Sequence, residues 1–380
     1  MKVTDVQIRT VEDKVRTPVT NALGKSPRDF SHVWRTHIVE VHTDEGITGT
    51  LATDSFNDCL KQLCLNHLKP VIVGEDPLNY ERVWRRMFGE VNGWRHPVAG
   101  GEVIRAISAL DTAIWDLIGK RYDTPLCTLL GGYRDTVPCY ASGGHYVTLD
   151  SQSEELTSLE AETSTFMKMG FKAVKMRVGR DLATDIERTR LVRRLIGPEV
   201  DLMFDFNFSQ TYRGGVARAI RFMKALEEFD PYWFEDPLVM DDVAGMKQIA
   251  DAVDTAIATG EREQTLWGFR ELIVNRAVDI LLPDAAQVCG GVTAWRRIAA
   301  MADAFRIPVA AHVAERTHVH CVASAPNGLM VEVFRPLENR RRMYEVAPIM
   351  PNKDGVLEVP QNPGLGLELN EDYIEKHLVR

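Results

Sequence analysis

Apolar and polar residues alternate through residues 1–10 and again through 36–43, the period-two signature of strands with one buried face. Asp44, Glu45 and Gly46 form a turn signal that leads the second run back into residues 47–50, which predicts a β-hairpin. Residues 17–30 carry Pro18, Gly24 and Pro27 and follow no clear period, so they read as a long loop of the kind that serves as a lid. From 55 to 120 the spacing of apolar groups becomes helical, most clearly over 77–88 and 103–118. Residues 1–125 therefore read as a β-meander followed by helices, an α+β domain.

Past Gly131 and Gly132 the texture changes. Short apolar runs recur at 137–141, 173–177, 201–205, 233–235, 256–259, 279–283, 307–311 and 329–333, each followed by a helical stretch. Eight such units predict an α/β barrel, the (β/α)8 TIM barrel. A doubly wound sheet would open with a G-x-G-x-x-G turn after its first strand, and the sequence has none.

Composition narrows the class. With 380 residues, 45% hydrophobic and 26% charged, the chain is long and apolar enough for a large folded core. No apolar run approaches the roughly 20 residues that span a bilayer. Residues 1–10 lack the apolar core of a secretory signal. The six cysteines are scattered without a C-x-x-C pair, which points to buried thiols in a reduced, cytoplasmic chain. A net charge of −9 is the wrong sign for nucleic-acid binding, and no membrane contact is expected. An acidic small molecule is compatible with that charge only if local cations or a metal receive it.

The ends of the predicted strands carry the chemistry. The second ends in Lys175 and Arg177, the third in Asp205, the fourth in Glu235; the fifth runs into Glu261. The sixth ends in Asp284, the seventh in His312, and the eighth contains Glu332. A barrel gathers the C-terminal ends of its strands at one mouth, where catalytic groups sit. Asp205, Glu235 and Glu261 on three adjacent strands could not all stay ionised without a cation, and hard oxygen ligands favour Mg²⁺. Lys175 and Arg177 are two apart and point the same way, across the mouth from His312. Asp284 on the strand beside His312 can hold one ring nitrogen and leave the other for a substrate. His318, His320, His32, His42 and His67 have no such setting and read as structural.

As a set these residues resemble the enolase superfamily and, within it, the mandelate racemase subgroup of the mandelate racemase/muconate lactonizing enzyme family. The matching stretches are VKMRVG at 174–179, FDFN at 204–207, WFEDP at 233–237, TGE at 259–261, LPD at 282–284, CGG at 289–291, AH at 311–312 and VE at 331–332. AISALDTAIWDL at 106–117, GK at 119–120 and PGLG at 363–366 extend the likeness over the whole chain. The resemblance implies a capping domain at 1–125, a modified barrel at 126–345 and a segment at 346–380 that returns to the cap. It implies one Mg²⁺ on Asp205, Glu235 and Glu261. It also implies removal of the proton α to a carboxylate, giving an enediolate held by the metal. Loops at 17–30 and 53–57 would choose the substrate.

One position departs from the pattern. The subgroup usually has a lysine base where Arg177 stands, and arginine is a poor base. Racemisation needs a base on each face of the α-carbon, so dehydration of an acid sugar (an aldonate or aldarate) becomes the leading expectation. In that reading His312 is the base or acid, Lys175 binds the carboxylate, Glu332 hydrogen-bonds it and Arg177 assists. Lys25, Arg28, His145 and Asn207 are expected among the substrate contacts, with Arg35, Trp94 and Arg95 as further candidates. A racemase or epimerase of a 2-hydroxy acid and a sugar-acid lactone cycloisomerase are the alternatives. A homo-oligomer is expected from the family.

Overall fold

The computed structural model describes residues 1–14, 19–20, 22, 33–55, 59–89, 100–147, 151–334 and 344–379. β1 (Val3–Lys14), the two-residue β2 (Val19–Thr20), β3 (Val33–Thr43) and β4 (Thr48–Ser55) come first. β1, β3 and β4 form an antiparallel sheet in that order, and the alternation puts Val6, Ile8, Val39, Val41 and Leu51 into the core. Helices follow at Tyr80–Gly89 and Glu102–Arg121. The second is buried along most of its length, because it lies between the sheet and the barrel.

The barrel strands are β5 (Thr136–Ser142), β7 (Ala173–Arg177), β8 (Asp201–Asp205), β9 (Pro231–Glu235), β10 (Ala256–Thr259), β11 (Ile280–Leu281), β12 (Val309–Ala311) and β13 (Gly328–Phe334). A short β6 (Tyr146–Val147) follows β5 and pairs with β2. Each barrel strand pairs in parallel with the next, and β13 pairs with β5, which closes an eight-stranded parallel barrel. All eight predicted runs are therefore strands, in the predicted order. Tyr140, Met203, Trp233, Leu282 and Met330 fill the barrel interior, so it is a packed core with a functional mouth and no pore.

Cap and barrel are joined by buried polar contacts. Asp111 on the helix Glu102–Arg121 accepts from the Thr293 backbone N–H at 2.8 Å and from Thr293 Oγ1 at 2.7 Å. It thereby caps the helix Gly291–Ala304, whose own N-cap, Gly290, has no side chain to do so. Gly291 has φ +87°, and a Cβ there would meet Asp111 Oδ2 at 2.3 Å, so only glycine lets the two helices approach. Asp116, one and a half turns further on, accepts from the N–H groups of Thr50 and Leu365, both at 2.8 Å. The chain end returns along both parts. β14 (Val356–Glu358) pairs antiparallel with β5, and Ile374 packs with Val11 and Ile38 of the cap sheet.

Cys59 is exposed and the other five thiols are buried, which corrects the expectation that all six are. Among the described residues no helix is long and apolar enough to cross a membrane.

Candidate active site

Asp205 and Glu235 are the last residues of β8 and β9, in register with one another. Glu261 follows β10 after Gly260. All three are buried, and each offers a carboxylate oxygen within 4.8 Å of the others. Neighbours fix each one. The Asn207 backbone N–H donates to Asp205 Oδ1 at 2.7 Å and its amide Nδ2 to Oδ2 at 3.2 Å. Trp233 Nε1 donates to Glu235 Oε2 at 3.0 Å, and Arg262 Nε to Glu261 Oε1 at 3.1 Å. Asn207, an expected substrate contact, uses one amide N–H on Asp205, which leaves its second N–H and its carbonyl oxygen for other partners.

The two cations of β7 face this cluster. Lys175 Nζ lies 2.5 Å from Glu235, 3.0 Å from Glu332 and 3.6 Å from Asp205. Arg177 Nη1 lies 2.7 Å from Asp205 Oδ2. Burial disfavours the Lys175 charge, but Glu235, Glu332 and Asp205 outweigh burial and raise its pKa. Burial and the crowding of Asp205, Glu332 and Glu261 push the Glu235 carboxyl up to about 8, with Lys175 opposing. Glu332 goes the other way: burial is outweighed by Lys175, His312 and Arg177, which hold its carboxyl low. Its Oε2 also accepts from the Val313 N–H at 2.9 Å.

Across the mouth, His312 Nδ1 is 2.9 Å from Asp284 Oδ2, and its Nε2 is 3.2 Å from Glu261 Oε2. Burial opposes the charge on His312, but Glu261 and Asp284 raise its pKa. Burial likewise opposes ionisation of Asp284, and the His312 hydrogen bond overcomes it, so its pKa is lowered. His318 lies against the same carboxylate, 3.7 Å from Asp284 Oδ1. Its ring bridges two backbone groups, with Nδ1 2.6 Å from the Val313 carbonyl and Nε2 accepting from the Ala285 N–H at 2.9 Å. Those two bonds require the neutral ring protonated at Nδ1. The structural reading of His318 thus has a specific content: it ties the turn after Asp284 to the turn after His312.

His145 packs edge-on against Phe334 with ring centroids 5.5 Å apart, and the Arg177 guanidinium sits 5.8 Å from the same Phe334 ring. Burial, then Arg177 and Arg188, hold the His145 imidazole well below the usual histidine range. His145 therefore belongs to the Arg177 side of the mouth. Arg35 pairs with Glu12 at 2.7 Å within the cap sheet. Lys25, Arg28, Trp94 and Arg95 lie outside the described residues. Of the expected 53–57 segment, Thr53 and Asp54 line a shallow cleft between cap and barrel, together with Gln287, Ala314 and Arg316. The cap thus meets the barrel two residues beyond His312. Trp233 and Arg262, which hold Glu235 and Glu261, carry no signal in the sequence beyond the period-two rule on β9, which points Trp233 inward.

A closed parallel barrel with acids, cations and a histidine–aspartate pair at its C-terminal mouth defines an enzyme of the enolase type. Residues 3–131 match the N-terminal domain of mandelate racemase/muconate lactonizing enzymes, and residues 158–373 match the enolase C-terminal domain-like family. The chain belongs to that family of the enolase superfamily. A 3,6-anhydro-α-L-galactonate cycloisomerase of Streptomyces coelicolor is 32% identical over 370 residues, covering 96% of each chain. A D-xylonate dehydratase of Haloferax volcanii is 30% identical, covering 90% of this chain and 85% of its own. A racemase from Streptomyces coelicolor, solved with bound magnesium, superposes with a TM-score of 0.87 at 28% identity, covering 99% of this chain and all of its own. Relatives of similar likeness are acid-sugar dehydratases, cycloisomerases and racemases.

Proposed function

We propose that the chain is a Mg²⁺-dependent acid-sugar dehydratase that converts an aldonate or aldarate to a 2-keto-3-deoxy acid. The observation that carries this reading is the facing pair of devices at one mouth. Three clustered carboxylates stand on β8, β9 and the turn after β10, and the His312–Asp284 pair adjoins them through Glu261.

Asp205, Glu235 and Glu261 suit one Mg²⁺ by donor chemistry: all are hard oxygen ligands, buried, and close enough to share one ion. Lys175 already lies within reach of two of them, so the pocket accommodates positive charge. When bound, Mg²⁺ would supply the charge that makes an α-proton beside a carboxylate acidic enough to remove.

The chain's own groups do the rest. Asp284, ionised and therefore acceptor-only, requires the proton of His312 on Nδ1; Nε2 faces Glu261, whose charge favours the protonated ring, so Nε2 would be freed to act as a base when a bound cation offsets that carboxylate. His312 Nε2 takes the α-proton and returns one to the departing 3-hydroxyl. Lys175 neutralises the substrate carboxylate, and Glu332 keeps Lys175 charged while accepting from the Val313 N–H. Arg177, held on Asp205, orients the substrate from the opposite face and stays charged. A panel of aldonic and aldaric acids, assayed with Mg²⁺ for a 2-keto acid product by carbonyl derivatisation, tests the reading. Formation of a keto acid from at least one member supports it, and none from any member removes it. A cycloisomerase of an anhydro or lactone sugar acid is the second reading, favoured by the 32% identical cycloisomerase. It would give α-proton loss with no released water.

A further inference from the structure

Behind the Arg177 side of the mouth lies a second buried polar cluster that the proposed chemistry does not use. Its centre is Arg188, in the helix Leu182–Ile196, with no exposure to solvent. A buried guanidinium is a poor device for stability alone, since an apolar side chain of similar size usually serves as well or better. Besides Asp185 Oδ1, 3.4 Å from Nη1, the two Nη groups of Arg188 meet backbone at the mouth. Nη1 donates to the Arg177 carbonyl at 2.8 Å, and Nη2 to the carbonyls of Gly144 at 2.6 Å and His145 at 3.3 Å. The Gly144 carbonyl also accepts from the Arg177 N–H at 3.2 Å, so one side chain ties the exit of β5 to the exit of β7 at Arg177 itself. Gly144 has φ +60°, and a Cβ there would meet Met176 Cβ at 2.5 Å, so this turn lies flush against β7.

The cluster extends to the cap. The guanidinium of Arg188 lies 4.0 Å from the Tyr146 ring centroid and that of Arg180 lies 4.1 Å from it. The Tyr146 hydroxyl donates to Asp185 Oδ1 at 2.7 Å, and Asp185 Oδ2 accepts from the N–H groups of Gly179 at 2.9 Å and Arg180 at 3.1 Å. Glu155 balances the charge, 3.3 Å from Arg188 Nε and 3.0 Å from Arg180 Nη2. Tyr146 and Val147 are β6, and β6 pairs with β2 of the cap through Val19↔Val147 and Thr20↔Tyr146.

We propose that Arg188 is a positioning residue, which sets Arg177 at the barrel mouth and, through Tyr146, docks β2 of the cap against the same corner. Its effect on turnover rests on the reading of Arg177 as a substrate-facing cation; its effect on the backbone does not. Arg188→Met keeps the volume and removes every donor. Arg188→Lys keeps the charge but cannot span three carbonyls.

The test is amide hydrogen exchange by mass spectrometry on the full chain with Mg²⁺, alongside Mg²⁺ affinity and kinetics on the acid sugar that the wild type turns over. Arg188→Met should raise exchange at least about tenfold in peptides covering 19–20, 143–147 and 174–180. Peptides containing Asp205 and Glu235, and the Mg²⁺ affinity, should stay within about twofold of wild type. The kcat should fall about a hundredfold with a smaller change in KM, because a misplaced Arg177 costs orientation more than binding. Arg188→Lys should fall between wild type and Arg188→Met in both readouts, and carries the same test should Arg188→Met not fold. Unchanged exchange in the three segments, or a rise spread equally over β8 and β9, would overturn the proposal. A wild type inactive on every acid sugar would sink the dehydratase reading while leaving the exchange comparison to decide the role of Arg188.

Discussion

His312 meets Asp284 through Nδ1, at 2.9 Å, while its Nε2 reaches 3.2 Å from Glu261. One histidine therefore spans the boundary between the orienting carboxylate and the carboxylate cluster. The Asp284 contact holds a proton on Nδ1, and the Glu261 contact favours a second proton on Nε2, so the ring faces the mouth poised to carry and exchange a proton. His312→Asn should lower turnover by about a thousandfold or more. Mg²⁺ affinity, read by calorimetry, should survive, because Asp205, Glu235 and Glu261 remain. Asp284→Asn should cost about a hundredfold, since an amide can present N–H to Nδ1 and stabilise the wrong tautomer. Full activity in either variant would remove the pair from the mechanism.

Glu235 occupies the centre of the cluster, between Asp205 and Glu261 in strand order and against Lys175. Glu235→Gln should weaken Mg²⁺ binding by at least about a hundredfold, the upper range for losing even an outer partner of a ligand. Calorimetric titration of the metal-stripped variant checks this. An unchanged affinity would mean that the ion, if bound, sits elsewhere.

Asp111 gives a pH dependence that is separate from the active site. Burial pushes its carboxyl up to about 7, with the Thr293 hydrogen bonds opposing. In the unfolded chain it titrates near its ordinary value of 3.8. Between those pH values the folded state holds a proton that the unfolded state has lost, so this group makes stability fall as pH rises from about 4 to about 7. The size is on the order of a few kcal/mol. Asp111→Asn should flatten that part of the profile relative to wild type, read as Tm against pH. Parallel profiles would contradict the assignment.

The same contact predicts a steric outcome. Gly291→Ala adds a Cβ into Asp111 at a positive φ, so it should destabilise the protein by about 3 kcal/mol or prevent folding. Urea denaturation measures it. A loss below about 0.5 kcal/mol would show that the two helices can separate without cost.

Much of the site was legible in the sequence because a barrel converts strand order into position. Asp205, Glu235, Glu261, Asp284 and His312 each close a run of apolar residues, and the fold brings every such end to one mouth. Lys175 and Arg177 were legible through the period of two on β7. What stayed hidden depends on contacts between residues far apart in sequence. Asp111 reads as an ordinary helix residue until Thr293, 182 positions away, is seen beneath it. Arg188 carries no signal in the sequence, and only the close approach of Gly144 to β7 shows where its donors go. The bond from Asn207 to Asp205 needs a φ of +43° at Asn207, which local spacing does not reveal. The substrate contacts expected at Lys25 and Arg28 lie outside the described residues.

The most direct test of the account is proton NMR in D₂O with Mg²⁺ and the aldonic or aldaric acids, run on wild type and His312→Asn side by side. The account predicts new 3-deoxy methylene signals, with deuterium at C3, in wild type and none in the variant. Loss of the α-proton signal alone would contradict dehydration and shift the chemistry to racemisation or epimerisation. Deoxy product formed equally by both proteins would contradict the role of His312.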